Sequence, residues 1–363
     1  MERERGLKSF RMRYVGALVA PFWLVAASGA AGPRLLCGVE NVEDMVALPD
    51  SHWIIGSGMG DRMFQHGGLH LIDESRDRVS KAALTLSGPL VARAPYDQCP
   101  GPPGDAFSAQ GLGIRPHGDG TSTLYVVNHG GRESIEVFRV AKGRAAPRFD
   151  WIGCVLAPAN SNPNAVSPRA DGSFVMSTAI DGELPVEVAD GGLRLKKGVK
   201  MTDLKGAVYQ WSRAGGWAKI PGSELPLNNG VELSKDGKWV YAVSWPDASV
   251  TRLPVDPADG KASKVKLDFY PDNIRWTYDG RIAAAGQFNT TPERVDACNR
   301  TNDPHCAIDY RAAAIDPRTM TVKRLYEGKG TFRFGMATTA LKTSHGLWLS
   351  AARSQCVAKV VGK

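Results

Sequence analysis

Residues 228–241 read NNGVELSKDGKWVY and contain, in order, an asparagine pair, a short apolar run, an Asp-Gly turn and a second apolar run. The same order, with a comparable turn signal, occurs at residues 42–55 (VEDMVALPDSHWII), 163–176 (PNAVSPRADGSFVM) and 271–283 (PDNIRWTYDGRIA). Each copy offers an Asn or an acidic residue at the start of a strand-like run. Because this polar position recurs in successive similar units, we expect a ring of units that directs the polar side chains to one centre.

Two further strand-turn-strand units lie at residues 111–127 and 336–350. No helix of a dozen residues is evident after the N-terminal segment. Six units of about four strands predict an all-β fold, a six-bladed β-propeller of four-stranded blades that forms one domain over residues 31–363. A β-sandwich is the alternative, and it accounts for short strands but not for the recurring order. Three irregular stretches interrupt the units and are expected to form lids or pocket walls: 86–108, 181–206 and 288–309.

The 363-residue chain has a formal charge of +8, and residues 1–30 supply +3 of it with five basic residues against two acidic ones. The remaining positive charge is spread along the chain without a run of Lys and Arg, which argues against a nucleic-acid partner. Basic residues, an apolar stretch over residues 14–27 and small residues after it predict a signal peptide over residues 1–30. The alternative is a membrane anchor, but the stretch is short and contains Pro21, so we expect cleavage and no stable membrane span. The sequence thus predicts a secreted or periplasmic protein.

Six cysteines fit an oxidising compartment, and the absence of a CxxC pair argues against a zinc or thioredoxin-type site. Six cysteines allow fifteen pairings. Cys37 and Cys356 would join the two ends of the domain if the ends meet, and Cys298 and Cys306 are placed to close a loop. Cys99 and Cys154 would then form the third pair. The alternative is that some of the six are free, buried thiols.

Several of these segments resemble the paraoxonases, six-bladed propellers that hydrolyse lactones and esters with calcium. Glu43 and Asp44 resemble the Glu-Asp pair of the family's first blade, and residues 126–138 (VVNHGGRESIEVF) resemble its Val-Val-Asn-His strand. Residues 228–241 resemble its Asn-Gly and Asp-Gly-Lys segment, and residues 272–273 its Asp-Asn pair. Agreement in several segments in the right order is more specific than any one Asp-Gly turn. The resemblance implies a calcium-dependent hydrolase of lactones or aryl esters, with a small-molecule substrate.

The resemblance also implies a set of calcium ligands, and this chain has the expected residue type at each position: Glu43, Asn164, Asn229, Asp272 and Asn273. Two carboxylates offset the charge of a dication, and amide oxygens complete an oxygen shell of the kind that calcium prefers. Bound calcium would polarise a substrate carbonyl as a Lewis acid. The alternative is that these Asn and Asp residues only begin turns, where their side chains cap the backbone.

Two departures from the family pattern concern the other functional positions. The family's second, structural calcium would match Asp44, the backbone carbonyl of Leu112 and residue 165, where Ala165 replaces an Asp. Loss of one charged ligand is expected to weaken that site markedly, as in the senescence-marker and gluconolactonase relatives, which manage with one metal. The family's histidine pair is reduced to His129, because Gln110 stands at the other position.

The proton acceptor of the predicted reaction is therefore open at the sequence level. His129 could orient or deprotonate water, or it could be a hydrogen-bonded structural residue. A metal-ligating carboxylate, Asp272 or Glu43, is the other candidate base. The resemblance further implies a disulfide between Cys37 and Cys356 that ties the N-terminal segment to the last blade. Two other functions stay open: a metal-free propeller of the strictosidine-synthase kind, and a non-catalytic metal-binding propeller.

Overall fold

The structure is a computed structural model that describes residues 32–60, 66–86, 90–183, 185–189, 192–301 and 306–360. The predicted signal peptide over residues 1–30 lies outside this described part. The compact unit that contains the described residues runs from Gly32 to Lys363. None of the helices in the described ranges has both the length and the apolar composition needed to cross a membrane.

The predicted six-bladed β-propeller is confirmed: six antiparallel sheets of four strands follow one another along the chain, and the sheet of blade 3 has a short fifth strand in addition. The first described strand is β1 (Arg34–Cys37), which belongs to the last blade. Blade 1 contains β2 (Met45–Ala47), β3 (Trp53–Gly58), β4 (Gly68–Asp73) and β5 (Arg78–Lys81). Blade 2 contains β6 (Ala109–Pro116), β7 (Ser122–Asn128), β8 (Ser134–Ala141) and β9 (Arg148–Leu156). Blade 3 and its insertion contain β10 (Ser161–Pro168), β11 (Phe174–Asp181), β12 (Val186–Ala189), β13 (Gly192–Leu195), β14 (Lys205–Ser212), β15 (Gly216–Lys219) and β16 (Leu225–Pro226).

The last three blades repeat the same meander. Blade 4 contains β17 (Asn228–Leu233), β18 (Trp239–Ser244), β19 (Ser249–Pro254) and β20 (Ser263–Lys266). Blade 5 contains β21 (Tyr270–Trp276), β22 (Ile282–Gln287), helix α1 (Pro292–Thr301), β23 (Tyr310–Ile315) and β24 (Val322–Gly328). Blade 6 contains β25 (Ala337–Thr343), β26 (Gly346–Ala351), β27 (Cys356–Val360) and the returning β1. Short 3-10 turns lie in the connections, at Gly104–Ala106, Met201–Asp203 and Pro257–Asp259.

The recurring Asp-Gly signals form the predicted turns between the first and second strands of a blade. In blade 4, the Asp236 carboxylate accepts hydrogen bonds from the Ser234 hydroxyl at 2.5 Å and from the Lys238 backbone N–H at 3.1 Å. Gly237 follows with φ of 71°, a left-handed conformation that glycine adopts without steric cost. Each such turn reverses the chain directly after the innermost strand, so the polar residue at the start of that strand stays near the axis.

The six innermost strands are β2, β6, β10, β17, β21 and β25, and each contacts the next around the ring. They come very close to one another near their starts. A Cβ atom on Gly230 would lie 2.8 Å from the Asn273 Cα and 2.9 Å from the Asp272 carbonyl oxygen. Glycine at this position is therefore what lets blade 4 approach the polar residues of blade 5.

Apolar side chains of facing sheets fill the space between neighbouring blades. Between blades 3 and 4, for example, the core contains Val175, Val208, Val231 and Val240, all with no exposed surface. Ala165 belongs to the same cluster and is also fully buried. The apolar seams hold the blades together around a polar centre.

The ring is closed by pairing of the first strand with the last. β1 pairs antiparallel with β27, and Cys37 lies opposite Cys356 in the register. The two cysteines form a disulfide across a sequence separation of 319 residues. The pairs Cys99–Cys154 and Cys298–Cys306 are also bonded, so all three predicted disulfides are confirmed.

The insertions contain more regular structure than their sequence suggests. The stretch at 181–206 forms the β12–β13 hairpin, and the stretch at 288–309 contains α1. Thr291 accepts a hydrogen bond from the backbone N–H of Arg294 and precedes Pro292 and Glu293, a sequence that favours a helix start. This Thr-Pro-Glu signal was available in the sequence, but the helix is too short for periodicity to reveal it.

Candidate metal centre

The predicted calcium ligands lie where the innermost strands begin, at β-bulges. In β10, β17 and β21 the pairing with the next strand skips residues 164–165, 229–230 and 272–273, respectively. A bulge breaks the strict alternation of a strand and re-aims the skipped side chains. Glu43 precedes β2 and occupies the corresponding position of blade 1. The local geometry therefore repeats with the sequence motif, and it gives each blade a side chain near the axis.

Hydrogen bonds join four of these side chains. The Asn273 amide donates to Glu43 Oε1 at 2.8 Å, which connects blade 5 with blade 1 across 230 residues of sequence. Asp272 interacts with the side chain of Asn229 by a hydrogen bond and with Glu43 through its charge. Asn164 occupies the equivalent bulge in blade 3, and its side chain is buried. We refer to these five residues, Glu43, Asn164, Asn229, Asp272 and Asn273, as the oxygen cluster.

Blade 6 and the second strand of blade 5 contribute residues that were not predicted from the sequence as part of this centre. In blade 6 the hydroxyls of Thr338 and Thr339 donate to the backbone carbonyl of Glu43 at 2.6 and 2.9 Å. The Gln287 amide donates to Asp272 Oδ2 at 3.2 Å, and its oxygen accepts from the Trp245 indole at 2.8 Å. These contacts fix the backbone of Glu43 and the carboxylate of Asp272. A Thr pair beside a bulge and a Gln at a strand end are common, so no sequence signal distinguished them.

Four oxygen atoms of the oxygen cluster are buried and meet no hydrogen-bond donor among the described residues: Glu43 Oε2, Asn164 Oδ1, Asn229 Oδ1 and Asn273 Oδ1. A buried polar atom without a partner costs free energy of about 1–3 kcal/mol, so native proteins rarely leave several together. Oxygen atoms of this kind, from carboxylates and amides, are the donor set that a hard divalent cation requires. The residues present therefore fit a calcium ion.

The electrostatics of the two carboxyl groups point the same way. Burial raises the pKa of Glu43 well above its usual range, and the nearby carboxyls of Asp272 and Asp44 raise this pKa further. Burial also raises the pKa of Asp272 to about 7, although hydrogen bonds from Gln287 and Asn229 act in the opposite direction. A bound cation favours the ionised form of both carboxyl groups and offsets the cost of burying them close together.

His129 is in blade 2, next to the position that corresponds to the ligand positions of the other blades. Both nitrogens of its imidazole contact neighbouring side chains. Its Nδ1 is 2.7 Å from Glu133 Oε2, and its Nε2 contacts Gln110 Oε1. Gln110 sits in the bulge of β6, where the other blades have a ligand-type residue. Two acceptors on one imidazole require either an imidazolium or a Gln110 amide turned so that its nitrogen donates. In both arrangements Gln110 occupies the ring nitrogen that a general base would use.

The residues matching the family's second calcium are engaged by an arginine. Arg275 contacts both carboxylate oxygens of Asp44 and donates to the Leu112 carbonyl oxygen at 2.7 Å. It also pairs with Glu232, with 3.0 Å between Nη1 and Oε1. Ala165, in the third matching position, packs in the apolar seam. We call Arg275, Asp44, Glu232 and the Leu112 carbonyl the arginine cluster.

The arginine cluster separates the oxygen cluster from a cavity of about 550 Å³. This cavity is lined by the later residues of the innermost strands, among them Ile114, Val166 and Trp276, with Glu232 and Arg275 also in its wall. Because the innermost strands begin at the oxygen cluster and end at this cavity, the two lie at opposite ends of the channel. The five predicted ligands thus lie at one end of the channel, and Arg275 lies between them and the cavity.

The long insertions lie at the same end as the oxygen cluster. Two insertions follow the second strand of a blade, which runs antiparallel to the innermost strand and so ends where that strand starts. The third insertion directly precedes an innermost strand, β6. Two of them meet, because α1 contacts β13. An apolar cluster joins Leu204 from one insertion with Val295 and Ile308 from the other.

Comparison with known proteins yields likenesses of fold. No family model and no curated protein matches the chain. The solved structure of a luciferin-regenerating enzyme superposes with a TM-score of 0.50 at 14% identity, over 88% of each chain. Regucalcin, a calcium-binding protein from Agrobacterium tumefaciens, gives a TM-score of 0.45 at 14% identity, over 90% of each chain. A streptogramin B lyase gives 0.48 at 10% identity, over 91% of this chain and 98% of the other. The paraoxonase resemblance of the sequence remains a prediction.

Proposed function

We propose that this protein is a secreted or periplasmic, calcium-dependent hydrolase of lactones or related esters. The observation that carries the proposal is the oxygen cluster, in which four buried oxygen atoms from four blades lack a hydrogen-bond donor among the described residues. Turn-capping does not explain it, because a capping side chain uses its oxygen on the local backbone. The three disulfides and the N-terminal sequence pattern support the oxidising location.

Within the proposed site, Glu43 and Asp272 supply the negative charge that a dication needs, and the three asparagines supply neutral oxygens. Calcium held there contributes Lewis acidity toward a substrate carbonyl and its developing negative charge. Gln287, Thr338 and Thr339 hold the two acidic residues in place, so that the ligands are preorganised.

Asp272 or Glu43 would accept the proton of the attacking water and return it to the leaving alkoxide oxygen. His129 is the weaker candidate, because Glu133 and Gln110 engage both of its ring nitrogens. We assign it instead the role of orienting Gln110. The insertions lie at the same end of the propeller as the oxygen cluster, and we expect their shared apolar cluster to contact the leaving group of a bound substrate.

A panel of γ- and δ-lactones and aryl esters, assayed with the purified protein, tests the proposal. Turnover should stop on addition of a chelator and return when calcium is added back. Turnover that is indifferent to the chelator would contradict the calcium role. Calcium binding by a folded protein without turnover of any substrate would favour the non-catalytic metal-binding propeller, which the Gln110 substitution and the engaged His129 also favour.

A further inference from the structure

The guanidinium of Arg275 uses all of its donors inside the protein. Its Nε donates to Asp44 Oδ1 at 3.0 Å, and its Nη1 donates to Glu232 Oε1 at 3.0 Å and to the Ile274 carbonyl at 3.2 Å. Its Nη2 donates to the Leu112 carbonyl at 2.7 Å and contacts Asp44 Oδ2. Five N–H groups thus meet five acceptors. The side chain is only 3% exposed, so these contacts replace hydration completely.

The acceptors of Arg275 extend the network to every blade. Asp44 of blade 1 also accepts from the Leu112 backbone N–H of blade 2 at 2.7 Å and from the Thr339 hydroxyl of blade 6 at 3.1 Å. Glu232 of blade 4 also accepts from the Ser167 hydroxyl of blade 3 at 2.8 Å. Arg275 itself is on β21 of blade 5. One buried cation therefore lies at the point where hydrogen bonds from six blades converge.

These residues do not fit a second calcium ion. The carboxylate of Asp44 and the carbonyl of Leu112, two of the expected ligands, face a guanidinium, and the third position is the buried methyl group of Ala165 in an apolar seam. The local charges are those of an ion site nonetheless: two buried carboxylates, Asp44 and Glu232, surround one cation.

We propose that Arg275 is a built-in cation that takes the place of a second metal ion and ties the six blades at the axis without metal. An arginine remains charged at all physiological pH values, whereas occupancy of an ion site depends on the free ion concentration. The proposal does not rest on hydrolase activity, since it concerns only the arginine cluster.

The test compares wild-type protein with Arg275→Met in calcium stoichiometry and thermal unfolding. In chelator, the variant should unfold roughly 6–10 °C lower, because removal of one partner leaves buried carboxylates uncompensated. With calcium in excess, the variant should bind one ion more than wild type, weakly because Ala165 supplies no ligand, and should regain part of its Tm. The variant Arg324→Met is the matched control, because Arg324 pairs with acids but is 54% exposed, and it should behave as wild type.

Two further variants keep the test decisive if Arg275→Met does not fold. Arg275→Lys retains the charge without the fork of donors and should lose less stability, with no added ion. The double variant Asp44→Asn/Arg275→Met removes the cation and one of its two carboxylates, and it should recover part of the lost Tm, since only Glu232 then stays without a cation. An Arg275→Met protein with unchanged Tm in chelator, or with no additional calcium, would overturn the proposal. Because the readout is the difference from wild type, it stands even if the oxygen cluster binds no calcium or the protein hydrolyses no lactone.

Discussion

The oxygen cluster and the arginine cluster occupy the same channel and even use neighbouring residues, yet they differ in how far their polar groups are hydrogen-bonded. Glu43 belongs to the first and Asp44 to the second. Buried oxygens of the oxygen cluster lack donors among the described residues, whereas every donor of Arg275 is satisfied. A satisfied network stabilises a scaffold, and an unsatisfied one costs stability unless something binds. The oxygen cluster is therefore the proposed binding site, and the arginine cluster is part of the scaffold that supports it.

Removal of a ligand should break the oxygen cluster without breaking the scaffold, and this is the largest effect we expect. Asn229→Ala and Asp272→Ala should lower kcat/KM for the best lactone by about 10³-fold or more, since each removes part of the cation's shell. Circular dichroism should show an intact propeller. Asn299→Ala, on the exposed face of α1, is the control and should keep full activity. Full activity in either ligand variant would refute the site assignment.

A substitution at Gly230 tests whether stability and calcium binding depend on the close approach of blades 4 and 5. In Gly230→Ala, the new methyl group would meet the Asn273 Cα at 2.8 Å, so blades 4 and 5 must separate. We expect a loss of about 1–3 kcal/mol in stability together with weaker calcium binding. Gly118→Ala adds the same methyl group at a position where, among the described residues, only its own chain neighbours lie within 4 Å, and it should leave both quantities unchanged. Equal behaviour of the two variants in calorimetry would argue against close approach of the blades.

The pH dependence of stability should distinguish the clusters further. Because the pKa values of Glu43 and Asp272 are raised in the fold, the calcium-free protein keeps protons that the unfolded chain releases. Its stability should therefore fall as pH rises from about 4 toward 7. Calcium needs the ionised carboxyls, so the Tm gain from calcium should grow over the same interval. Asp272→Asn should flatten the calcium-free profile, and a wild-type profile that rises instead would contradict the assignment of these groups.

The smallest effect concerns His129. Since Glu133 and Gln110 engage its ring, His129→Gln should reduce kcat by less than about tenfold, below the 10²–10⁴-fold typical of a lost general base. The pH profile of kcat should keep its shape. A fall of a thousandfold with loss of the pH dependence would instead make His129 the base, and would move the catalytic role away from the carboxylates.

The sequence predicts the fold and the composition of the oxygen cluster because both depend on local patterns. Residues 228–241 show this: an Asp-Gly pair favours a turn, and an Asn or acidic residue repeated at the start of the first strand in four blades is expected near one axis once the blades are counted. The bulges that re-aim Asn229 and Asp272 carry no such local signature, because each is an irregularity in the pairing of an innermost strand with the next strand of its blade.

The role of Arg275 was not predicted from the sequence. Between Ile274 and Trp276 it looks like an ordinary polar residue in an alternating strand, and its partners Asp44 and Glu232 are 231 and 43 residues away. One signal was available. Arg275 lies two residues after Asn273, so strand periodicity places both side chains on the same face of the sheet. A cation on the face that carries the proposed metal ligands was a reason to look for an acidic partner.

The pairing of β1 with β27 has a consequence for how the protein is made. A ribosome produces the chain from its N-terminus, so among the described strands of the propeller β1 emerges first and its partner β27 emerges last. Until β27 has emerged, β1 lacks its partner in blade 6 and the ring cannot close. Shortening the chain by a few residues at either end of the propeller therefore removes the closure of the whole ring, whereas an equal deletion in an insertion alters one connection.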